Sequence, residues 1–352
     1  MVLCLGLSVL GCLAVFNATY HLAEPYRFVG RQLLWLPPGA ILMVAVAAMP
    51  ARQLRSLTVA GAIIGYAALL AVLAFGVGVN GVRSGFAWGG VYIQPAELAK
   101  PFFVLSLALA MQKTSRYRDD WLAGSLPPFG LLLVWVAPLL LQPDFGTALV
   151  YTLTFAMVFV CLGGSVRHLG LCLLAGLPPM ALLVRFGSLL APRLAVLAEA
   201  EQATTGRGWH VVQFQHALAD GGFFGQGMGR TIESQYILPS GHGVSVVANL
   251  GQAMGLLGLA SLLLILMAWV FYGWRRAREA AEDCEDEFQP AAILGLTTVV
   301  AVQACLHLST NIGLLPSLDI GLPLLGYGGS SLLMVFIVVG MVESLGRPSI
   351  SD

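Results

Sequence analysis

Long apolar runs separated by short polar segments form most of the chain. About ten of these runs are long enough to cross about 30 Å of hydrocarbon as helices. They lie at about residues 1–18, 33–50, 58–78, 96–112, 125–141, 147–163, 169–185, 249–273, 291–312 and 328–346. The fifth and sixth runs are kept apart because Pro143 and Gly146 break a helix between them and Asp144 is costly in lipid. The pattern predicts an all-α integral membrane protein with about ten transmembrane helices in a single polytopic domain, 1–352.

Composition supports this class. Of 352 residues, 58% are hydrophobic and 10% are charged, which is too little polar surface for a soluble globule of this size. The 41 glycines and 18 prolines suit a helical bundle with close helix contacts and broken segments. The six cysteines have no metal-ligand spacing and are interpreted as packing residues. The first apolar run lacks a preceding basic region, so a transmembrane helix is favoured over a signal peptide.

Two polar segments interrupt the apolar pattern. The longer one, 186–248, predicts an extracytoplasmic loop containing short helices, because an amphipathic pattern runs from Trp209 to Leu218 before a Gly-rich turn. The shorter one, 275–289, is a charged cytoplasmic loop whose acidic run is interpreted most simply as a solvated connection, with a regulatory role less favoured.

The distribution of basic residues predicts the orientation. With both termini in the cytoplasm, most basic residues of the short loops lie on the inner side, as the positive-inside rule requires. These residues are Arg52, Arg55, Lys113, Arg116, Arg118, Arg167, Arg275, Arg276, Arg278 and Arg347. We therefore expect a multi-pass protein of the cytoplasmic membrane.

Two short motifs place charges beside apolar helices. In "QPAELAK", Glu97 and Lys100 are three residues apart and share a helix face, so we expect them to pair and face the bundle interior, as a structural ion pair or as a substrate contact. In "LLLQPDFGTALV", Asp144 can cap the following helix, face a polar cavity, or do both.

Two further motifs are rich in glycine. In "ADGGFFGQGMGRTIESQYILPSGHG", backbone amides can approach an anion such as a diphosphate, with Arg230 adding charge, although a tight re-entrant bend is the more common explanation. His242 is either an acid or base or a hydrogen-bonded bystander. In "NIGLLPSLDIGLPLLGYGGSSLL", prolines and glycines predict a broken helix, Ser330 can cap its resumption, and Asp319 is an outer-face acid.

These four motifs, in this order and spacing, resemble the shape, elongation, division and sporulation (SEDS) family typified by RodA and FtsW. The resemblance covers nearly the whole chain. It implies an activity that polymerises lipid II, an undecaprenyl-diphosphate-linked disaccharide, into peptidoglycan at the bacterial cytoplasmic membrane. It also implies a single-pass transpeptidase partner, a class B penicillin-binding protein, and no nucleic acid. No cofactor is certain, and the diphosphate makes a divalent cation a candidate, without a protein metal site.

The motifs and the resemblance together give two groups of candidate residues. The substrate-binding candidates are Arg83, Glu97, Lys100, Asp144, Gln213, Arg230 and His242. The structural motif positions are Gln94, Pro95, Pro143, Gly146, Gly221, Gly222, Pro323, Gly328, Gly329 and Ser330.

The chain departs from the family pattern where the reaction would take place. Val244 stands at the position of the family's Asp, and Gln252 and Ala253 stand where the family has two acids. The family's Arg-Trp pair is replaced by Ser84 and Gly85. A positioned base typically contributes about 10²–10⁴-fold to such a reaction, and valine cannot act as one.

Three interpretations remain open. A glycosyltransferase could use a substitute base, for which the candidates are Glu233, Asp220, Asp319 and His242. A non-catalytic member could bind lipid II or dock the transpeptidase as a scaffold. A lipid II flippase is least favoured, because ion-coupled carriers generally have paired repeats and none is found here.

Overall fold

The structure is a computed structural model that describes residues 1–19, 24–79, 82–89, 91–186, 207–229, 246–283, 286–315 and 318–347. Its helices are α1 (Val2–Thr19), α2 (Pro25–Ala48), α3 (Ala51–Phe75), α4 (Pro95–Thr114), α5 (Leu126–Leu141), α6 (Phe145–Cys161), α7 (Val166–Phe186), α8 (Arg207–Gly221), α9 (Val246–Asp283), α10 (Phe288–Asn311) and α11 (Gly329–Leu345). A 3₁₀ turn (Ser115–Tyr117) and a π-helical turn (Trp121–Ser125) connect α4 to α5. The strands are β1 (Val77–Val79), β2 (Val82–Trp88) and β3 (Val91–Ile93).

The predicted membrane class is confirmed. Each apolar run identified in the sequence contains a helix. Within the described ranges, six helical segments are long and apolar enough to cross a membrane, and α6, part of α7 and α11 are shorter apolar helices. The count of ten spans stays a prediction.

The two polar segments contain more regular structure than a connection needs. The amphipathic pattern within 186–248 corresponds to α8, as predicted. In the charged segment 275–289, α9 continues to Asp283 and α10 begins at Phe288. Asp286 pairs with Arg55, and Glu287 pairs with Arg118 at 2.8 Å. The end of the acidic run is therefore bound to protein rather than fully solvated, which corrects the simplest interpretation of the sequence.

A three-stranded antiparallel sheet between α3 and α4 was not predicted. Its order is β1-β2-β3, with Val77 opposite Gly85, Phe86 opposite Ile93, and Trp88 opposite Val91. The strands are only three to seven residues long, so they leave little periodic signal in the sequence.

The chain separates into two compact units. The first unit comprises Met1–Pro38, Ala181–Ala268 and Gln303–Leu332, and the second comprises Gly39–Met180, Trp269–Val302 and Leu333–Asp352. In the first unit a buried cluster contains Ala14, Val246, Val247, Leu250, Leu262, Ala304, Leu322 and Leu325.

Aromatic side chains dominate the core of the second unit. Phe103 on α4 packs against Tyr151 on α6, with ring centroids 4.6 Å apart, and against Trp135 on α5 at 6.0 Å. Gly61 on α3 allows close contact with α4, because a Cβ atom there would lie 2.1 Å from the Phe102 ring. This packing holds the start of α4 against the start of α6.

Candidate functional site

The second unit contains a buried ion pair at the start of α4. Gln94 precedes the helix and Pro95 occupies its first turn, where a missing amide hydrogen costs nothing. Lys100 Nζ lies 2.5 Å from Glu97 Oε1, and the side chains are 0% and 7% exposed. The predicted pairing is therefore confirmed, while a substrate contact for either residue stays a prediction.

Asp144 begins α6 and lies close to this pair. Its Oδ1 accepts a hydrogen bond from the Thr147 amide at 3.1 Å, so the predicted helix cap is confirmed. Its Oδ2 accepts one from Gln94 Nε2 at 3.4 Å. Burial raises the pKa of the Asp144 carboxyl, and the negative charge of Glu97 raises it further. Hydrogen bonds from Thr147 and the positive charge of Lys100 lower this pKa. Asp144, Glu97 and Lys100 thus form one electrostatically coupled group, called here the acidic-pair site.

Two hydrogen bonds that the sequence did not reveal position the acidic-pair site. The Tyr151 hydroxyl donates to the Ala96 carbonyl at 3.0 Å, which ties α6 to the first turn of α4. Gln142 Nε2 donates to the Leu69 carbonyl at 2.8 Å, which ties the α5–α6 connection to α3. All of these side chains are buried, so breaking either bond would leave unsatisfied polar atoms.

The sheet brings a tyrosine to the same region. The Tyr92 hydroxyl is 2.8 Å from Ser84 Oγ. Burial raises the pKa of the Tyr92 phenol, the hydrogen bond with Ser84 opposes this, and the charge of Asp144 adds to it. A Cβ atom on Gly85 would lie 2.4 Å from the Ile93 carbonyl oxygen and 2.7 Å from the Tyr92 ring, so no larger side chain fits there. Arg83 is exposed on β2.

In the first unit, the Gly-rich turn after α8 packs on an interruption of α9. Gly255 has φ 67° and ψ −166°, so α9 is not helical there. Across this interruption the Gln226 and Gly227 amides donate to the Gln252 and Ala253 carbonyls at 2.9 and 3.0 Å. In return, the amides of residues 256 and 257 donate to the carbonyls of residues 222 and 223 at 2.9 and 3.2 Å. The turn therefore satisfies the backbone groups that the broken helix leaves unpaired.

This geometry favours the structural interpretation of the Gly-rich turn. The Gly229 amide donates to Asn17 Oδ1 at 2.7 Å, so the donors of residues 226, 227 and 229 are all used by protein acceptors. The hydrogen bonds of these three amides are therefore made within the protein rather than to an anion. The glycines are needed for close contact, since a Cβ atom on Gly221 would lie 2.1 Å from the Gly251 carbonyl oxygen.

A buried amide pair, which sequence reasoning missed, lies beside this turn. Asn17 Nδ2 donates to Asn249 Oδ1 at 2.8 Å, and both residues are at most 2% exposed. Gln252 and Ala253 are also buried. These four buried side chains beside the Gly-rich turn are all uncharged.

The predicted broken helix ahead of the last span is confirmed. Helix α10 ends at Asn311, and α11 begins at Gly329. Buried side chains bind backbone carbonyls of the segment between these helices. His307 Nδ1 contacts the oxygen of residue 320 at 2.7 Å. Gln303 Nε2 donates to the oxygen of residue 321 at 3.1 Å, and Gln32 Nε2 donates to that of residue 326 at 3.2 Å. Gly329 leaves room for the Trp35 ring, 2.4 Å from where a Cβ would stand. Pro323 and Ser330 are buried here and Gly328 is half-buried.

The remaining candidate residues lie apart from the acidic-pair site along the chain. Asp220 is exposed near the end of α8, and Asp319 is exposed with φ 53°. Gln213 is half-buried on α8. Arg230, Glu233, His242 and Val244 lie outside the described residues. Among the side chains that the structure describes, no three of His, Cys, Asp and Glu come together as a metal site.

Comparison with known proteins agrees with this architecture. The fold defines the class of the protein. It is a helical, polytopic membrane protein, with a buried ion pair at the start of one helix and interrupted helices elsewhere. The family model for the cell cycle proteins FtsW, RodA and SpoVE matches residues 1–349. The chain therefore belongs to this family, which is the SEDS family that the sequence motifs indicate.

Individual relatives are similar along most of their length. A probable peptidoglycan glycosyltransferase FtsW of Bacillus subtilis (strain 168) is 30% identical over 337 residues, which cover 93% of this chain and 82% of that protein. Stage V sporulation protein E of the same organism is 27% identical, with 99% and 96% covered.

Solved structures show the same fold. A chain from a peptidoglycan synthase complex that coordinates polymerization and crosslinking superposes with a TM-score of 0.80 at 26% identity, covering 99% of this chain and 97% of that one. The rod shape determining protein RodA of Thermus thermophilus superposes with a TM-score of 0.71 at 25% identity, covering 99% and 96%.

Proposed function

We propose that the protein acts in bacterial peptidoglycan synthesis as a lipid II-binding family member that lacks the general base at position 244. Membership of the family over residues 1–349 supports the process. The buried group of Glu97, Lys100 and Asp144 supports an intact substrate-facing region, because ionisable residues are rarely kept in a membrane bundle without a function. This group is the observation that carries the proposal.

The chemistry explains why position 244 matters. In glycan polymerisation a sugar hydroxyl attacks the anomeric carbon of a lipid-linked donor, the bond to the diphosphate breaks, and the hydroxyl proton passes to a base. Val244 cannot accept that proton. We therefore propose that the chain binds lipid II and docks a single-pass transpeptidase of the class B penicillin-binding type without forming polymer itself. The proposed location is the bacterial cytoplasmic membrane, with both termini in the cytoplasm and 186–248 outside.

Within the acidic-pair site, the Lys100 ammonium pairs with Glu97, and its side chain has no exposed surface. We assign to the pair the role of fixing the start of α4. Asp144 and Gln94 then face the lipid-linked sugar, and exposed Arg83 faces its diphosphate.

A second candidate function, polymerisation with a relocated base, is favoured by one observation. Asp319 is exposed, and its φ of 53° is one that glycine adopts freely and other residues adopt at a cost. An exposed acid held in a strained conformation is a recurring feature of functional sites. Asp319 would then take the hydroxyl proton in place of the family's Asp.

One experiment separates these functions. The purified protein in lipid nanodiscs, alone and with a class B transpeptidase, would be given fluorescent lipid II, and both binding and polymer would be measured. Val244→Asp restores the acid, and Val244→Asn matches its size without a basic group. Binding by all three chains, with polymer only from Val244→Asp, is the expected result.

Two other results would contradict the proposal. Polymer from the native chain would support a relocated base, and loss of that polymer in Asp319→Asn would identify it. Failure of the native chain to bind lipid II, while a polymerising relative binds it in the same nanodiscs, would exclude a lipid II-binding role.

A further inference from the structure

Three buried polar side chains lie along one face of α10. Gln303, His307 and Asn311 follow one another at intervals of four residues, so they share a face of the helix, and each is 0% exposed. His307 Nδ1 lies 2.7 Å from the Ile320 carbonyl oxygen, in the segment ahead of α11. Asn311 Oδ1 accepts a hydrogen bond from the Ala248 amide, in the first turn of α9, at 3.3 Å. This face of α10 therefore binds the backbone of two other segments.

The hydrogen bonds of Asn311 fix the orientation of its side-chain amide. Its Oδ1 accepts from a backbone amide, so its Nδ2 is the atom that faces His307. Nδ2 donates to the His307 carbonyl oxygen at 3.0 Å and lies 3.3 Å from His307 Nε2. Because Nδ2 is a donor and not an acceptor, Nε2 of the imidazole must be the acceptor in this contact.

The other ring nitrogen of His307 leads independently to the same tautomer. A carbonyl oxygen can only accept, so Nδ1 beside the Ile320 oxygen carries a hydrogen. The imidazole is therefore neutral with its proton on Nδ1, since an imidazolium would set an N–H of Nε2 against an N–H of Asn311. One protonation state thus satisfies both contacts.

These contacts join the two segments that contain candidate base positions. Val246, the first residue of α9, comes two residues after position 244 in the sequence. Ile320 directly follows Asp319, whose φ is 53°. Ala248, His307, Asn311 and Ile320 all belong to the first unit. The Nδ1–H tautomer of a single histidine therefore links the backbone next to both positions.

We propose that His307 is a positioning residue, which holds the start of α9 and the segment containing Asp319 in a fixed relation to each other. Its consequence for lipid II rests on the proposed function, whereas the tautomer and the two contacts do not. In Val244→Asp the new acid acts only if the start of α9 is held in place. Displacement of a reacting group by about 1 Å can cost about 10²-fold in rate.

Nitrogen NMR of the native chain in nanodiscs tests the tautomer without a substitution. Leu306–His307 is the only Leu-His pair in the sequence. Carbon-13 at the carbonyl of leucine, with carbon-13 and nitrogen-15 throughout histidine, therefore selects the His307 ring. We expect a hydrogen bonded directly to Nδ1 and none on Nε2. A proton on Nε2, whether alone or together with one on Nδ1, would overturn the proposal even if every variant failed to fold.

Two substitutions separate the two contacts. The amide nitrogen of Asn can take the place of Nδ1, and the longer amide of Gln can reach the place of Nε2. His307→Asn should therefore release the start of α9, and His307→Gln should release the segment around Ile320. We expect hydrogen exchange, followed by mass spectrometry, to accelerate by about 2- to 10-fold, as the loss of one hydrogen bond predicts. The acceleration should occur in the peptide containing Ala248 for the first variant and in that containing residues 319–321 for the second.

Thr310→Val is the matched control for these variants. Thr310 is 3% exposed on the same helix, and its hydroxyl donates to the His307 carbonyl oxygen within α10 at 2.8 Å. This substitution should accelerate exchange in neither peptide. Native exchange in both His307 variants, or equal acceleration in Thr310→Val, would show that His307 does not position these segments.

Polymer formation distinguishes failure of this inference from failure of the proposed function. In the Val244→Asp background, His307→Asn should reduce polymer from fluorescent lipid II by about 10²-fold, and Thr310→Val should leave it unchanged. Unchanged polymer with His307→Asn would overturn the positioning role and leave the proposed function intact. Absence of polymer from Val244→Asp itself would contradict the proposed function, and the NMR and exchange measurements would still decide the role of His307.

Discussion

The ammonium nitrogen of Lys100 lies 2.5 Å from a carboxylate oxygen of Glu97, one helical turn back along α4. Neither side chain has appreciable access to solvent. Each charge therefore stabilises the other, since an unpaired buried charge costs several kcal/mol. This dependence links the stability of the second unit to its candidate site.

Removing one partner of the ion pair should destabilise the protein more than removing both. We expect Lys100→Met to lower the free energy of unfolding by about 3–5 kcal/mol, because it removes the counter-charge that Lys100 gives to the buried Glu97 carboxylate. The double variant Glu97→Gln with Lys100→Met should lose less. Thermal unfolding in detergent measures both, with Arg118→Gln as the control, since its pair with Glu287 is about half exposed and should contribute at most about 1 kcal/mol. Equal losses in the single and double variants would contradict the coupling.

Two substitutions of Asp144 distinguish its role as a helix cap from the role of its charge. Asp144→Ala removes the acceptor for the Thr147 amide and should cost about 0.5–2 kcal/mol. Asp144→Asn keeps an acceptor oxygen, so it should be nearly as stable as the native chain. If the carboxylate faces lipid II, Asp144→Asn should still weaken lipid II binding, measured in nanodiscs. Native affinity in Asp144→Asn would restrict Asp144 to a structural role.

The Gly-rich turn should not tolerate a side chain at Gly225. Its φ is +83°, and a Cβ atom would lie 2.3 Å from the Ala253 carbonyl oxygen. We expect Gly225→Ala to destabilise the chain by more than about 1 kcal/mol through backbone strain and displacement of α9. Gly130→Ala is the matched control, because nothing lies within 4 Å of a Cβ atom there and the residue is inside α5. That substitution should be neutral or stabilising by up to about 1 kcal/mol. Similar melting temperatures for the two variants would argue against the close packing of the turn.

Asp319→Gly should stabilise the protein. Glycine adopts the observed φ of 53° without the cost of about 1–2 kcal/mol that a side chain incurs. Asp319→Ala keeps the strain and should gain nothing. Unfolding measurements on the two variants, together with lipid II polymerisation, distinguish a strained catalytic acid from a neutral surface residue. A melting temperature of Asp319→Gly below that of the native chain would show that the aspartate is itself stabilising.

Local sequence signals determined the helical frame and parts of the candidate site. Apolar runs predict helices because burial in lipid requires about twenty consecutive apolar residues, whatever the neighbours are. The spacing of Glu97 and Lys100 predicts their pairing because residues three apart share a helix face. Asp144 as a cap, and the break ahead of α11, follow equally from short-range backbone chemistry.

Only the tertiary structure decided the contacts that join distant parts of the chain. Three features have no local signature in the sequence. They are the sheet formed by β1, β2 and β3, the packing of the Gly-rich turn on α9, and the hydrogen bond from Tyr151 to Ala96. Gln32 and its acceptor, the Gly326 carbonyl, are 294 residues apart. A buried polar group must find a hydrogen-bond partner because little water reaches the interior. Which partner it finds depends on the packing of the whole unit rather than on any one segment.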